Sequence, residues 1–229
     1  MDDERVVAAV VWREAGALVC RHPVAAFLPA AVLGTLAEAP YLLPDSQYVV
    51  QDVLAFLTEA FAFYLYVAYV ETIIVEAQSA ERIPLRSMLS HLLLAVPVMP
   101  LVVAGSVAAI TLPSAAASLL VIPGLWLLTH WSLFAPVIVR EGLGPVAALR
   151  RSSELTRRRF EMVFLTAAFA VILEEAVADG GAWVGLLVSG SDSWGEWVGG
   201  TVALILILPI ASFATAVGYG LLSGHAQSS

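Results

Sequence analysis

Residues 123–160 read PGLWLLTHWSLFAPVIVREGLGPVAALRRSSELTRRRF, an apolar run followed by an arginine-rich segment. Six of the chain's eleven basic residues lie between Arg140 and Arg159, directly after this run. Basic residues beside membrane spans collect on the cytoplasmic side, so this stretch orients the whole chain. Of the 229 residues, 60% are hydrophobic and only 13% are charged, against about a quarter charged in soluble domains. With a mean hydropathy of +0.88, the expected class is an all-α integral membrane protein.

Working outward, apolar windows near the roughly 20 residues that cross a bilayer recur along the chain. The sequence predicts a single helical membrane domain over 1–229 with about six spans, at 23–43, 49–78, 87–110, 117–139, 160–178 and 198–222. Residues 1–22 form an expected interfacial helix, with Val6, Val7, Val10, Val11, Ala17 and Leu18 on one broad face and Glu14 interrupting it. The chain turns inward at Arg21 and His22, where Pro23 suits the first turn of a new helix. Residues 140–159 form a cytoplasmic basic helix, and the Gly- and Ser-rich stretch from Asp179 to Trp197 is read as an interfacial loop. Pro29 and Pro209 are expected kinks.

Counting alternate loops puts all eleven arginines on one side, while Asp45, Asp179, Asp192 and Glu196 lie on the other with no arginine. Both termini are therefore expected in the cytoplasm, in a bacterial inner membrane. The start MDDERVVAAVVWREAG lacks the basic region and cleavage site of a secretory signal, so Met1 is expected to stay. Cys20 has no partner for an internal disulfide, and the absence of lysine removes Schiff-base chemistry.

WREAGALVCRHPVAAFLPAA, from Trp12, aligns without a gap with LRRSSELTRRRFEMVFLTAA, from Leu149. Arg13 matches Arg150, Leu18 matches Leu155, Arg21 matches Arg158, and Phe27-Leu28 matches Phe164-Leu165. In both, a basic amphipathic segment feeds an outward-going helix.

The 123–160 pattern resembles the membrane domain attached to some bacterial glycerophosphodiester phosphodiesterases, and related six-helix inner-membrane proteins. There a Pro-Gly begins a span, an Ala-Pro-Val ends it near an acidic-glycine turn, and a basic Ala-Leu-Arg-Arg-Ser…Leu-Thr helix follows. WREAGALVCRHPVAAFLP is similar to that family's first basic segment. The phosphodiesterase activity of such fusions resides in a separate soluble barrel, for which this chain has no matching motif. The resemblance therefore implies a membrane role in envelope or lipid homeostasis and transfers no catalytic residue.

Guanidinium groups match phosphate in bidentate fashion, and each basic residue near an anionic leaflet contributes about 1 kcal/mol. Arg150, Arg151, Arg157, Arg158 and Arg159 are thus candidate lipid-phosphate ligands; the plainer reading is that they set orientation and reach to the headgroups. Ionisable groups at membrane depth face a bundle interior or a cavity, which singles out Glu59, Glu71, His130 and Glu174. Glu71 and His130 lie on spans running in the same direction, at heights that differ by roughly 6 Å at 1.5 Å per residue, so a contact between them is sterically allowed, as a relay or as a structural hydrogen bond.

His22, His91, His130 and His225 have no HxxxH spacing, Glu174 and Glu175 point about 100° apart on a helix, and no Gly-x-Ser-x-Gly or phosphate loop occurs. No metal, cofactor or catalytic residue is expected. Gly195 and Gly199 form a GxxxG that helix packing explains. The leading expectation is a non-catalytic inner-membrane protein binding lipid or a membrane partner. A small transporter or channel component is the alternative, and a lipid-modifying enzyme the third. Expected partners are membrane lipids, anionic ones first, and a second copy or another membrane protein; nucleic acid is not expected.

Overall fold

The computed structural model of the chain describes residues 2–37, 39–42, 48–98, 100–101, 121–190 and 192–227. They are helical throughout apart from short turns, with no strand among them. Asp45, the small residues Ala104, Gly105, Ala108 and Ala109, and residues 111–114 lie outside the described residues, as do the side chains of Glu59 and Glu174.

Helix α1 (Asp2–Arg21) meets α2 (Pro23–Ala37) at a bend of 91°. The turn falls at His22, as Pro23 demands. The face that α1 buries differs from the expected one: Ala8, Val11, Ala15 and Leu18 are buried, while Val6 and Val10 point outward. Spacing of three, four and three residues aligns the buried set on one narrow stripe, and small residues there permit close packing. The apolar surface of α1 is broader than its contact, and only neighbouring helices select which part is covered.

Pro29 deprives α2 of an N–H where the Ala25 carbonyl would find its helical donor. Tyr69 Oη donates to the Ala25 carbonyl at 2.9 Å, and Tyr66 Oη donates to the Ala26 carbonyl at 2.7 Å. Both tyrosines belong to α3 (Tyr48–Ser79) and are fully buried. They tie α2 to α3 through its backbone carbonyls beside Pro29.

The helix ends at Ala37 and a 3-10 turn, Ala39–Leu42, carries Pro40. Its 15 residues extend about 22 Å at 1.5 Å per residue, shorter than the span expected over 23–43. Pro40 has no N–H to carry the α-helical hydrogen-bond ladder onward, and this fits the early stop. Helix α4 (Leu85–Ala95) likewise gives way to a 3-10 turn, Val96–Val98, at Pro97.

The opening stretch becomes α5 (Val121–Trp131), a break, and α6 (Phe134–Glu141). Gly142, with φ of +66°, closes α6, and Pro145 opens α7 (Pro145–Arg157) from a Gly144 cap. This is the Gly-after, Pro-at-start asymmetry of helix ends, and it explains the EGLGPV punctuation. The chain continues through α8 (Phe160–Val163), a π-helical segment Phe164–Ala168, and α9 (Phe169–Ser189). A last helix, α10 (Asp192–Gln227), contains Pro209.

The stretch read as an interfacial loop is therefore a correction: Asp179–Ser189 continues α9 and Asp192–Trp197 begins α10. Between the two helices Gly190, with φ of +60°, begins the turn. The glycines taken for loop formers lie on the packing faces. A Cβ on Gly181 would overlap the Gly199 carbonyl, and one on Gly185 would overlap that of Gly195. The pairs are equidistant from Gly190, so two GxxxG motifs face each other across an antiparallel hairpin.

By length and apolar composition, Ile122–Glu141 and Trp197–Gly224 qualify as membrane spans. The bent pair Glu4–Arg21 plus Pro23–Ala37 makes a third if counted as one span.

The internal echo also has a structural counterpart. Pro23 and Phe160 occupy the same place in the alignment, and each is the first residue of a helix following a break. Segment α1 packs on the second of these entry points. Glu4 Oε2 accepts the Met162 N–H at 3.2 Å, capping α8, and Arg5 Nε pairs with Glu161 at 2.5 Å. The Trp12 indole N–H donates to the Leu165 carbonyl at 2.8 Å, within the π-helical segment, where the lengthened hydrogen-bond register leaves carbonyls in need of outside donors.

Candidate functional site

The most concentrated polar structure among the described residues starts inside the bundle and ends at the basic helix. Glu71, on α3, is fully buried, and its Oε2 accepts from Arg140 Nε at 2.5 Å. Arg140 comes from the last turn of α6. Its guanidinium carbon lies 5.3 Å from the ring centroid of Tyr219, on α10, within the range of a cation–π contact. Tyr219 Oη donates to Glu141 Oε1 at 2.8 Å, and Arg151 Nε contacts both Glu141 oxygens at 3.2 Å. On α7 the chain of charges ends with Glu154, which pairs with Arg150 at 3.3 Å and with Arg151 at 3.8 Å.

Four helices are thus joined by one ladder of alternating charge. The sequence could place Glu71 inside a bundle because an unpaired carboxylate in hydrocarbon is costly. It allowed His130 as a partner. Glu71 is held by Arg140, whereas His130 sits between aromatic rings, 4.0 Å from Trp126 and 5.5 Å from Phe160, with Nδ1 2.9 Å from the Trp126 carbonyl. No hydrogen bond joins Glu71 and His130. Arg140 was read as the first of the orienting arginines; the available signal was its place at the end of a span, where a long side chain can reach back into the bundle.

Beside Arg140 lies a cavity of about 230 Å³, bordered by Glu14 of α1, Ile74 and Gln78 of α3, and Ala216 and Gly220 of α10. Arg140 uses Nε for Glu71, and its Nη groups have no hydrogen-bond partner among the described residues.

The basic helix is attached by its uncharged side. Ser152, fully buried on α7, accepts the Leu133 N–H at 3.2 Å and donates to the His130 carbonyl at 2.7 Å. These two backbone groups flank the break between α5 and α6, and Pro136, which has no N–H, keeps that break from closing into a regular helix. Thr156, one turn along, is also fully buried. Ser152→Ala is expected to lower stability by about 1–3 kcal/mol, because it strands buried backbone groups. Thermal unfolding of the purified protein in detergent measures this, and an unchanged midpoint would show that the break does not depend on Ser152.

Docked in this way, α7 sorts the five candidate arginines. Arg150 and Arg151 are paired with Glu154 and Glu141, while Arg157 and Arg158 are exposed and Arg159 half-buried, none with a carboxylate partner among the described residues.

A second polar cluster ties α3 to α4: Glu76 Oε2 accepts from Ser87 Oγ at 2.5 Å and lies 2.9 Å from His91 Nε2. Both groups address the same carboxylate oxygen, so Ser87 and His91 are not arranged as nucleophile and base. Buried His22 bonds the Ala77 carbonyl at 2.9 Å and fixes the α1–α2 bend against the end of α3.

Fold and site together define a chain whose described residues are helical, with two or three candidate membrane spans among them, and an ion-pair ladder reaching inward from the arginine-rich helix. Comparison with family models, characterised proteins and solved structures finds no match.

Proposed function

We propose that this chain is a non-catalytic inner-membrane protein, crossing about six times with both termini in the cytoplasm, that holds anionic lipid headgroups at Arg157, Arg158 and Arg159. One observation carries the choice of residues: on a single helix, Arg150 and Arg151 already have carboxylate partners, whereas the Arg157–Arg159 run has none among the described residues. Guanidinium groups without an internal counter-ion offer their full fork of donors to a phosphate. The membrane placement is supported by the hydropathy of the chain and by the one-sided arginine distribution. The resemblance of 123–160 to the phosphodiesterase-associated membrane domain supports a role in envelope or lipid homeostasis.

Replacing Arg157, Arg158 and Arg159 together with glutamine is expected to reduce co-purifying anionic lipid severalfold, with little change in stability, since the side chains join no described ion pair. Native mass spectrometry of protein extracted from its own membrane checks this. Unchanged anionic lipid would refute the site. Loss of the same lipid on substituting Arg150 and Arg151 instead would move the site to the paired arginines.

A further inference from the structure

The lipid site above leaves the cavity beside Arg140 without a role. Three features of its border bear on what it accepts. Arg140 presents Nη donors with no hydrogen-bond partner among the described residues, while its Nε is bonded to Glu71. Glu14, the residue that breaks the apolar face of α1, reaches the same cavity and forms no described ion pair or hydrogen bond. Gln78 adds an amide at the end of α3, and Ile74, Ala216 and Gly220 supply apolar and small surface.

A purely anionic ligand would meet Arg140 already half neutralised by Glu71 and would be repelled by Glu14. A purely cationic one would leave the guanidinium donors unanswered. A ligand carrying both charges satisfies both edges. The cavity volume of about 230 Å³ holds roughly seven or eight waters at about 30 Å³ each, comparable with a small zwitterion and too little for a lipid's acyl chains.

The geometry points to a binding site for a small zwitterionic group, an ammonium joined to a phosphate or carboxylate, with the acid on Arg140 and the ammonium on Glu14. This site is separate from the Arg157–Arg159 run and does not depend on it. The same chemistry occurs in a phosphoethanolamine lipid headgroup, in free phosphoethanolamine and in a small amino acid.

The test uses the full chain, purified in detergent and stripped of lipid, titrated calorimetrically with short-chain phosphatidylethanolamine, phosphoethanolamine, alanine, and inorganic phosphate and ethanolamine as separate halves. One equivalent of at least one zwitterion is expected to bind, with each half at least tenfold weaker. Glu14→Gln, a change at an exposed side chain, is expected to weaken that binding at least tenfold, while the triple Arg157–Arg159 glutamine variant keeps it. Binding of the lipid alone identifies a headgroup, and binding of a free zwitterion a soluble ligand; both support the site. Absence of saturable binding by all three zwitterions, equal binding by phosphate alone, or an unchanged affinity in Glu14→Gln overturns it.

Discussion

Arg140→Met destabilises the bundle by about 3–5 kcal/mol, the expected result of leaving a buried carboxylate without its partner. Glu71 has no exposed side-chain surface, whereas Arg140 is 26% exposed. The two single substitutions are therefore unequal. With Arg140 removed, Glu71 is stranded in the interior, its Oε1 already lacking a hydrogen-bond partner among the described residues. With Glu71 replaced by glutamine, Arg140 still has the Tyr219 ring, the cavity and partial exposure to relieve its charge, so the loss should be nearer about 1–2 kcal/mol. The double variant, Glu71→Gln with Arg140→Met, should recover much of the loss, because replacing a buried pair by uncharged groups of similar volume is often close to neutral. Thermal unfolding in one detergent, run as a double-mutant cycle, measures all three. Additive losses, with no recovery in the double variant, would show that the pair does not act as a unit.

Adjacent glycines of α9 should respond in opposite directions to the same substitution. A Cβ at Gly180 meets nothing within 4 Å, whereas one at Gly181 overlaps the Gly199 carbonyl and the Ala203 side chain. Gly180→Ala is expected to stabilise the protein by up to about 1 kcal/mol through helix propensity. Gly181→Ala is expected to cost about 1–3 kcal/mol through overpacking, and Gly185→Leu more, since the helix it approaches is backbone at that point. Leucine at position 185 should separate α9 from α10 and abolish recovery of folded protein. Paired unfolding measurements on the alanine variants test the prediction. A stabilised Gly181→Ala would mean that the hairpin does not close at its glycines.

Glu71 was legible as an interior residue because a charge in an apolar run demands an explanation. Its partner was not, since Arg140 lies far along the chain and was fully explained by the positive-inside rule. Gly195 and Gly199 were legible as a packing motif, but Gly181 and Gly185 were absorbed into a supposed loop. Glycine's local signal is the same whether it permits a turn or a close helix approach. Only Gly190, with its positive φ, is needed for the turn. Ser152 is the clearest case of a residue hidden by its neighbours: it stands between the charged Arg151 and Glu154, yet it bonds the two sides of the break in the preceding helix.

The sequence by itself determined the helical class with its long apolar segments, the basic character of the 140–159 segment, the turn at His22 and the Gly-Pro punctuation after Glu141. Each of these follows from local chemistry: hydropathy over a window, charge position, or the backbone limits of proline and glycine. The tertiary structure alone decided which stripe of α1 is covered, that Tyr69 answers the Ala25 carbonyl freed by Pro29 while Tyr66 bonds that of Ala26, which arginines are neutralised, and how Asp179–Ser189 and Asp192–Trp197 pack on each other. Those choices depend on groups distant in sequence satisfying one another's hydrogen bonds and charges, and a one-dimensional pattern shows the need for a partner without showing where it comes from.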